Sequence, residues 1–78
     1  MNIKILGSGC AKCKRLEQLT REVAIERGID AQFEHVYDIE KIMEYPVMAT
    51  PALVIDEEVK VYGRMPSKDE IGKWLVKS

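Results

Sequence analysis

The sequence predicts a small α/β fold whose strands and helices follow the order β-α-β-α-β-β-α. Two patterns support this prediction: short apolar runs alternate with segments of helical periodicity, and glycine or proline stands near the boundaries between them. The length of 78 residues leaves room for one core. We therefore expect a single domain over residues 1–78, with a four-stranded mixed sheet flanked by three helices.

The first strand and the first helix are predicted from the residues before Gly28. Asn2–Leu6 is a short apolar run followed by Gly7, which is typical of a buried strand. From about Ala11 to Arg27 the apolar residues fall on one stripe of a helix, and charged residues lie opposite. The stripe consists of Leu16, Leu19, Val23 and Ala24. Gly28 stands where a glycine commonly ends a helix.

The segment over residues 29–37 predicts a second strand, because its side chains alternate between two faces. One face holds Ala31, Phe33, His35 and Tyr37, and the other holds Gln32, Glu34 and Val36. Since a helix connects the first two strands, they should run parallel through a right-handed crossover.

A second, shorter helix is predicted after this strand. Asp38 can cap it, and it continues through Glu44 until Pro46 ends it. The residues expected to face inward are Ile39, Ile42 and Met43.

A β-hairpin is predicted from the next two apolar runs. Ala52–Ile55 reads as a buried strand, and Val59–Tyr62 returns as a partly exposed strand that Gly63 ends. The two residues Asp56 and Glu57 form the tight turn between them, although the turn lacks the glycine that would make its signal strong.

A final amphipathic helix follows the hairpin. Ser67–Glu70 has the pattern of a capping box, which marks the start of a helix. The apolar side of this helix is formed by Ile71, Trp74 and Leu75.

The composition limits the classes of function. The net charge is −1 and charges of opposite sign alternate, so nothing favours binding to nucleic acid or to an anionic membrane. No apolar stretch approaches the roughly 20 residues of a membrane helix, and the N-terminus does not resemble a signal peptide. We therefore expect a cytoplasmic protein, in a compartment where a disulfide is more often catalytic than structural.

The two cysteines of the chain, Cys10 and Cys13, stand close together in the sequence. The predicted order places Cys10 at the start of a helix, directly after a strand, where unpaired N–H groups and the helix dipole favour a thiolate. Lys12 adds positive charge nearby. Cys13 should lie one turn further in, more shielded and close enough to form a disulfide. This asymmetry predicts thiol–disulfide exchange with Cys10 as the attacking thiol and Cys13 as the resolving thiol.

Other interpretations of the cysteine pair stay open. Two thiolates at this spacing can carry a soft ion such as Cu(I), and cysteines can also be ordinary buried residues. A structural zinc site would need about four ligands, and beyond the cysteines the chain offers only one histidine, His35. We interpret His35 as a packed or hydrogen-bonded strand residue. A non-catalytic interaction module is a further alternative.

The segment Met48-Ala49-Thr50-Pro51-Ala52-Leu53 adds a second motif to the cysteine pair. A Cys-x-x-Cys pair that opens the first helix is followed by Thr-Pro before an apolar strand, a hairpin, a glycine and a terminal helix. In these features the whole chain resembles the thioredoxin-like superfamily, in particular its smallest archaeal and bacterial thioredoxin-like or glutaredoxin-like members. The resemblance implies a minimal thioredoxin fold and a thiol–disulfide oxidoreductase that reduces protein disulfides.

The resemblance also implies roles for further residues. Thr50–Pro51 is expected to form a cis peptide bond across from the cysteines, with the backbone of Thr50 able to bind a substrate chain. Gly63 is expected near the active-site surface, where its missing side chain leaves room for the partner. No organic cofactor is implied, since the Cys10–Cys13 disulfide is the redox centre. The expected partners are disulfide-containing proteins and a separate reductase that supplies electrons, and we expect a monomer.

The chain departs from the patterns of this superfamily at three places. Lys4 stands where typical thioredoxins carry a buried acid, and Ala11-Lys12 separates the cysteines in place of Gly-Pro or Pro-Tyr. Gly63-Arg64 stands where glutaredoxins carry a glutathione-binding Gly-Asp pair. The pattern therefore offers neither the usual proton acceptor for Cys13 nor the usual contact for glutathione.

Overall fold

The computed structural model describes residues 1–7 and 11–75 and confirms the predicted order of elements. The elements are β1 (Asn2–Leu6), α1 (Ala11–Glu26), β2 (Gln32–Val36), α2 (Ile39–Ile42), β3 (Ala52–Ile55), β4 (Glu58–Tyr62) and α3 (Lys68–Trp74). None of the described helices is long and apolar enough to cross a membrane.

The strands form one mixed sheet in the order β2-β1-β3-β4. β1 pairs with β2 in parallel, as the crossover through α1 predicts, and it pairs with β3 in antiparallel. β3 and β4 form the predicted antiparallel hairpin. The fold class is therefore confirmed as α/β, with a four-stranded mixed sheet and three helices among the described residues.

Each face of the sheet is covered by its own apolar cluster. On one face, side chains of α1 and α3 pack against the strands, and Ile3, Leu53 and Ile71 are fully buried there. On the opposite face, α2 contributes Ile42, which packs with a group of strand residues that includes Leu6. Because successive strand residues point to opposite faces, β1 supplies side chains to both clusters.

α1 ends in a glycine cap that also delays the start of β2. Gly28 has a φ of 65°, and the N–H groups of Gly28 and Ile29 donate to the carbonyls of Ile25 at 3.1 Å and Ala24 at 2.9 Å. Because the N–H of Ile29 closes the helix, it is not available to a strand ladder. β2 is therefore shorter than the strand predicted over residues 29–37.

The observed helix α2 agrees only in part with the helix predicted for this segment. Asp38 caps the helix as predicted, with its Oδ1 accepting from the N–H of Glu40 at 3.0 Å. The helix ends at Ile42, earlier than predicted, and only Ile42 is buried. Ile39 and Met43 are 66% and 76% exposed, so the prediction that they face inward was wrong. A single helical turn contacts the sheet over too small an area to bury all three side chains.

The turn between β3 and β4 forms at Asp56 and Glu57, as predicted. Both residues have positive φ, 50° and 68°, a combination typical of a two-residue type I′ turn. Residues with side chains are strained in this conformation. Two hydrogen bonds hold Asp56 in place: its N–H donates to the carbonyl of Asn2, and its Oδ1 accepts from the N–H of Asn2, each at 2.8 Å.

α3 begins with the predicted capping box. The Ser67 hydroxyl accepts from the N–H of Glu70 at 3.2 Å, and the N–H of Ser67 donates to the Glu70 carboxylate at 3.1 Å. The guanidinium of Arg64 donates to both oxygens of that carboxylate, at 3.1 and 2.6 Å. The hydrogen bonds from Arg64, followed by the one from Ser67, lower the pKa of Glu70 to about 2.

We expect Glu70→Gln to lower the melting temperature at neutral pH and to flatten its dependence on pH in acid. Folding lowers the pKa of Glu70 from 4.5 to about 2, so the ionised carboxylate stabilises the fold above pH 4.5. This stabilisation is lost as the pH falls from 4.5 through the folded-state pKa of about 2, because the carboxylate becomes protonated first in the unfolded and then in the folded state. The melting temperatures of wild type and variant, measured at intervals from neutral pH down to 2, should therefore converge across that window.

Asp69→Asn is the matched control for this experiment. Asp69 lies in the same first turn of α3, and its side chain makes no hydrogen bond or ion pair with another described residue. Its substitution should leave the shape of the pH curve close to that of wild type. A Glu70→Gln curve that runs parallel to the wild-type curve over the whole range would contradict the lowered pKa of Glu70.

Candidate active site

The sheet topology brings three segments of the chain to one end of the molecule. The end of β1 pairs with Ala52 at the start of β3, and Ala52 also pairs with the end of β4. Gly7 follows β1, Pro51 precedes β3 and Gly63 follows β4, so these residues lie at the same end of the sheet. The N–H of Gly63 donates to the carbonyl of Pro51 at 2.9 Å, which ties two of the segments together.

Cys13 lies at this end of the sheet, in the first turn of α1, and its side chain is fully buried. A Cβ atom on Gly7 would overlap Sγ of Cys13 and would lie 3.3 Å from the Cβ atom of Cys13. The same Cβ atom would lie 3.8 Å from the Cβ atom of Thr50. The side chains of Cys13 and Thr50 therefore both lie close to Gly7.

The other predicted site residues near the first turn of α1 in the sequence are the thiol Cys10 and the cation Lys12. Cys10 lies outside the described residues, as do Ser8 and Gly9. Lys12 is exposed on the first turn of α1 and makes no hydrogen bond or ion pair with any residue that the structure describes. The first turn of α1 contains no acidic side chain, so its N–H groups and its cations determine the local potential.

The Thr50–Pro51 segment lies across from the start of α1. The peptide bond between the two residues is cis. Pro51 is buried, whereas Thr50 is exposed and its backbone forms no hydrogen bond within residues 1–7 and 11–75. Met48, shortly before it, is 86% exposed. An extended peptide could therefore pair with the backbone of Thr50 without displacing a hydrogen bond inside the protein.

Gly63 lies beside this segment in a conformation that favours glycine. Its φ is 75°, and a Cβ atom on it would lie 3.2 Å from the Cβ atom of Ala49. The neighbouring Tyr62 is 43% exposed. Glycine thus allows β4 to end close against the segment that carries Thr50, and it leaves that surface open.

Lys4, where typical thioredoxins carry a buried acid, belongs to a polar cluster with Glu57 and Tyr45. Its Nζ donates to the Glu57 carboxylate at 2.6 Å and to Oη of Tyr45 at 3.0 Å, and Tyr45 Oη donates to the other oxygen of Glu57 at 3.0 Å. The hydrogen bond to Glu57, followed by that to Tyr45, raises the pKa of Lys4, and the hydrogen bond from Lys4 lowers the pKa of Glu57. Lys4 therefore stays charged at neutral pH and cannot accept a proton from Cys13.

His35 is a packed and hydrogen-bonded strand residue. Its Nδ1 lies 3.0 Å from Oε1 of Glu17 on α1, and its ring stacks on Tyr37 with the two ring centroids 4.1 Å apart. In the part of the chain that the structure describes, no three side chains of His, Cys, Asp or Glu are grouped as a metal site.

Gly7 is the residue at this site whose role the sequence did not reveal. A glycine directly after a strand commonly supplies a turn, but the φ of Gly7 lies outside the left-handed region that favours glycine. What it supplies instead is space, because any side chain here would collide with Sγ of Cys13. No pattern in the sequence separates these two uses of glycine, since the second depends on how closely α1 packs on β1.

Comparisons with known proteins connect nearly the whole sequence to one family. A family model described as the thioredoxin domain matches residues 1–76. A thioredoxin from Methanothermobacter thermautotrophicus is 47% identical over 75 residues, which cover 96% of this chain and 97% of that protein. A thioredoxin from Methanocaldococcus jannaschii is 36% identical over 73 residues, which cover 94% of this chain and 84% of that protein.

We expect Gly63→Ala to destabilise the protein more than Gly28→Ala does. Both glycines have positive φ, 75° and 65°, so both variants share the backbone penalty of about 1–2 kcal/mol for a side chain in this conformation. Only at Gly63 would the added Cβ atom meet another side chain, that of Ala49 at 3.2 Å, since nothing lies within 4 Å at Gly28. Urea unfolding curves of the two variants measure the difference in free energy of unfolding.

Ala49→Gly provides the control for this comparison. In a protein that carries Ala49→Gly, Gly63→Ala should be no more destabilising than Gly28→Ala, because the atom that the new methyl group meets has been removed. If Gly63→Ala and Gly28→Ala destabilised the wild-type protein equally, the contact with Ala49 would be without energetic effect and the expectation would be wrong.

Proposed function

This chain belongs to the thioredoxin domain family, and we propose that it reduces disulfide bonds in proteins through the thiols of Cys10 and Cys13. The observation that carries the proposal is the position of Cys13, whose buried side chain lies in the first turn of α1, against Gly7 and near Thr50. Cysteines at the N-terminus of a helix ionise more readily than ordinary thiols, and the thiolate is the nucleophile in disulfide exchange.

The proposed exchange has two steps. The Cys10 thiolate attacks one sulfur of the substrate disulfide, so that a bond forms between them while the substrate disulfide breaks and its other sulfur leaves as a thiolate. The Cys13 thiolate then attacks Sγ of Cys10, the Cys10–Cys13 disulfide forms, and the second substrate thiolate leaves. Two electrons pass from the dithiol to the substrate, and the protons released by the two cysteines reach the two product thiolates through solvent.

The burial of Cys13 supports its assignment to the second step. A fully buried thiol cannot reach a disulfide in another protein, but it can attack a sulfur that its neighbour in the sequence has already captured. Cys10 is assigned to the first step because it directly precedes α1, where the N–H groups of the first turn favour a thiolate. Lys12 adds positive charge to the same region.

We assign the binding of the substrate chain to the surface around Thr50. The Thr50 backbone is available for strand-like pairing, and the exposed side chains of Met48 and Tyr62 offer apolar contacts at the same end of the sheet. Gly63 keeps this surface open because it has no side chain. Backbone pairing of this kind accepts many sequences, which suits a protein that reduces disulfides in more than one substrate.

The proposed reaction needs no organic cofactor, because the Cys10–Cys13 pair itself stores the two electrons. After each turnover, a disulfide reductase or a small thiol must return the electrons to the pair. We expect the protein to act as a monomer in the cytoplasm, where disulfides are kept reduced, with neither nucleic acid nor a membrane as a partner.

The two thiols are expected to behave differently in a trapping experiment. Cys13→Ser should accumulate a mixed disulfide between Cys10 and the substrate, because the first step proceeds and the resolving thiol is missing. Cys10→Ser should accumulate none, because the buried Cys13 cannot begin the reaction. Each variant is incubated with a disulfide-containing protein such as insulin. The adducts are separated on non-reducing gels and identified by mass spectrometry.

The same variants test the function as a whole in an insulin reduction assay driven by dithiothreitol. Wild type should accelerate the reduction, and Cys10→Ser should not. The opposite trapping pattern would reverse the roles of the two thiols. If wild type did not accelerate reduction but bound Cu(I) stoichiometrically against a competing chelator, the protein would be a soft-metal carrier, and if it did neither, it would be a non-catalytic module.

The burial of Cys13 and the proposed roles of the two thiols predict the order in which they are alkylated. In the reduced protein near neutral pH, iodoacetamide should modify Cys10 first, while Cys13 should react far more slowly because its side chain is fully buried. Peptide mass spectrometry at successive times gives the two rates. Unfolding in urea should make the rates nearly equal, which is the control, and faster labelling of Cys13 in the folded protein would contradict the proposed roles.

A further inference from the structure

We propose that Gly7 is a positioning residue that fixes Sγ of Cys13 for the resolving step, by having no side chain where that sulfur must lie. The inference rests on the proposed function, because it concerns the step in which Cys13 attacks Cys10. No atom of Gly7 takes part in the bonds that form and break in that step. It acts through Cys13, with which it is in direct contact.

The backbone of Gly7 does not itself require glycine. Its φ lies outside the left-handed region, so other residues can adopt the same conformation. Its N–H donates to the carbonyl of Val36 at 3.0 Å, which extends the pairing of β1 with β2 and holds this backbone in place. Gly7 is also buried, so it cannot move outward to make room for a side chain without breaking that hydrogen bond.

The helix α1, which carries Cys13 on the other side of this contact, is also held in place by its packing. α1 is anchored on the sheet by Leu16, which is fully buried one turn after Cys13, and by Val23 and Ala24 further along. A methyl group on Gly7 would overlap Sγ of Cys13 and press on its Cβ atom at 3.3 Å. Two adjustments could relieve the overlap: the Cys13 side chain rotates to another rotamer, or the start of α1 lifts from β1. Either one moves the sulfur.

The position of the sulfur matters most for the second step of the exchange. Closing the Cys10–Cys13 disulfide is an intramolecular reaction, and its rate and equilibrium depend on how well the attacking sulfur is held near its target. The first step uses Cys10 and the substrate alone. A displaced Cys13 should therefore weaken the protein disulfide and impair the resolving step far more than the first step.

The test compares wild type, Gly7→Ala and a matched control, Gly72→Ala. Gly72 is also buried, but a Cβ atom there would meet only the end of the flexible Arg27 side chain, with Nε and Cζ at 2.7 Å. Equilibration with a dithiothreitol redox buffer gives the equilibrium constant for formation of the Cys10–Cys13 disulfide. We expect Gly7→Ala to lower this constant at least about tenfold, or about 30 mV in reduction potential, and Gly72→Ala to change it less than about twofold.

Two kinetic measurements separate the steps. The rate at which iodoacetamide labels Cys10 should change less than about twofold in Gly7→Ala, because the thiol that the added methyl group meets is that of Cys13. The release of substrate from the mixed disulfide, followed by stopped-flow with an aromatic disulfide such as 5,5′-dithiobis(2-nitrobenzoate), should be at least about tenfold slower in Gly7→Ala. An unchanged equilibrium constant and an unchanged release rate in Gly7→Ala would overturn the proposal.

A double-mutant cycle tests the contact even if Gly7→Ala is poorly folded. Gly7→Ala should lower the melting temperature clearly in the wild-type background and much less in a Cys13→Ala background, because the sulfur that the methyl group meets is then absent. Equal losses in the two backgrounds would overturn the proposal. If wild type itself reduced no disulfide, the proposed function would fail before any change at Gly7, so the two failures are distinguishable.

Discussion

The close contact between the first turn of α1 and the end of β1 is the constraint on which the site depends. α1 buries Leu16, Val23 and Ala24 on the face of the sheet that also holds Ile3 and Ile5, and this packing fixes the helix over the central strand. The position of Cys13 follows from that packing, since it is carried by the helix itself. The thiol is therefore buried as the core is, and Gly7, the residue next to it directly after β1, has to be small.

The turn between β3 and β4 shows how a strained backbone is stabilised by residues outside its own segment. Asp56 and Glu57 adopt positive φ without being glycine, which strains the turn between β3 and β4. Asp56 is held by two hydrogen bonds to the backbone of Asn2, and Glu57 is held by Lys4 and Tyr45. The first strand thus fixes both residues of the turn, and the hairpin depends on its neighbour as well as on its own sequence.

The sequence predicts those parts of the fold that local chemistry decides. The glycine cap at Gly28 and the capping box at Ser67 act within a few residues, and both form as predicted. Prediction failed where packing over a distance decides, as at Ile39, which lies on a helix so short that only Ile42 of its side chains is buried against the sheet. The spacing of the cysteines indicated the candidate thiols, but the contact of Cys13 with Gly7 is invisible in the sequence, because it depends on the distance between a helix and a strand.

The charge on Lys4 limits how the proposed exchange can activate Cys13. An acid at this position could take the proton of the resolving thiol, whereas a lysine held by Glu57 and Tyr45 is already fully protonated at neutral pH. The proton of Cys13 must then leave toward solvent or toward the departing substrate thiolate. In the proposed exchange, the electrostatic help left for a Cys13 thiolate is the first turn of α1, in which no acidic side chain opposes a negative charge. In place of a buried acid, the proposed exchange therefore relies on the start of α1 to favour the thiolate of its resolving thiol.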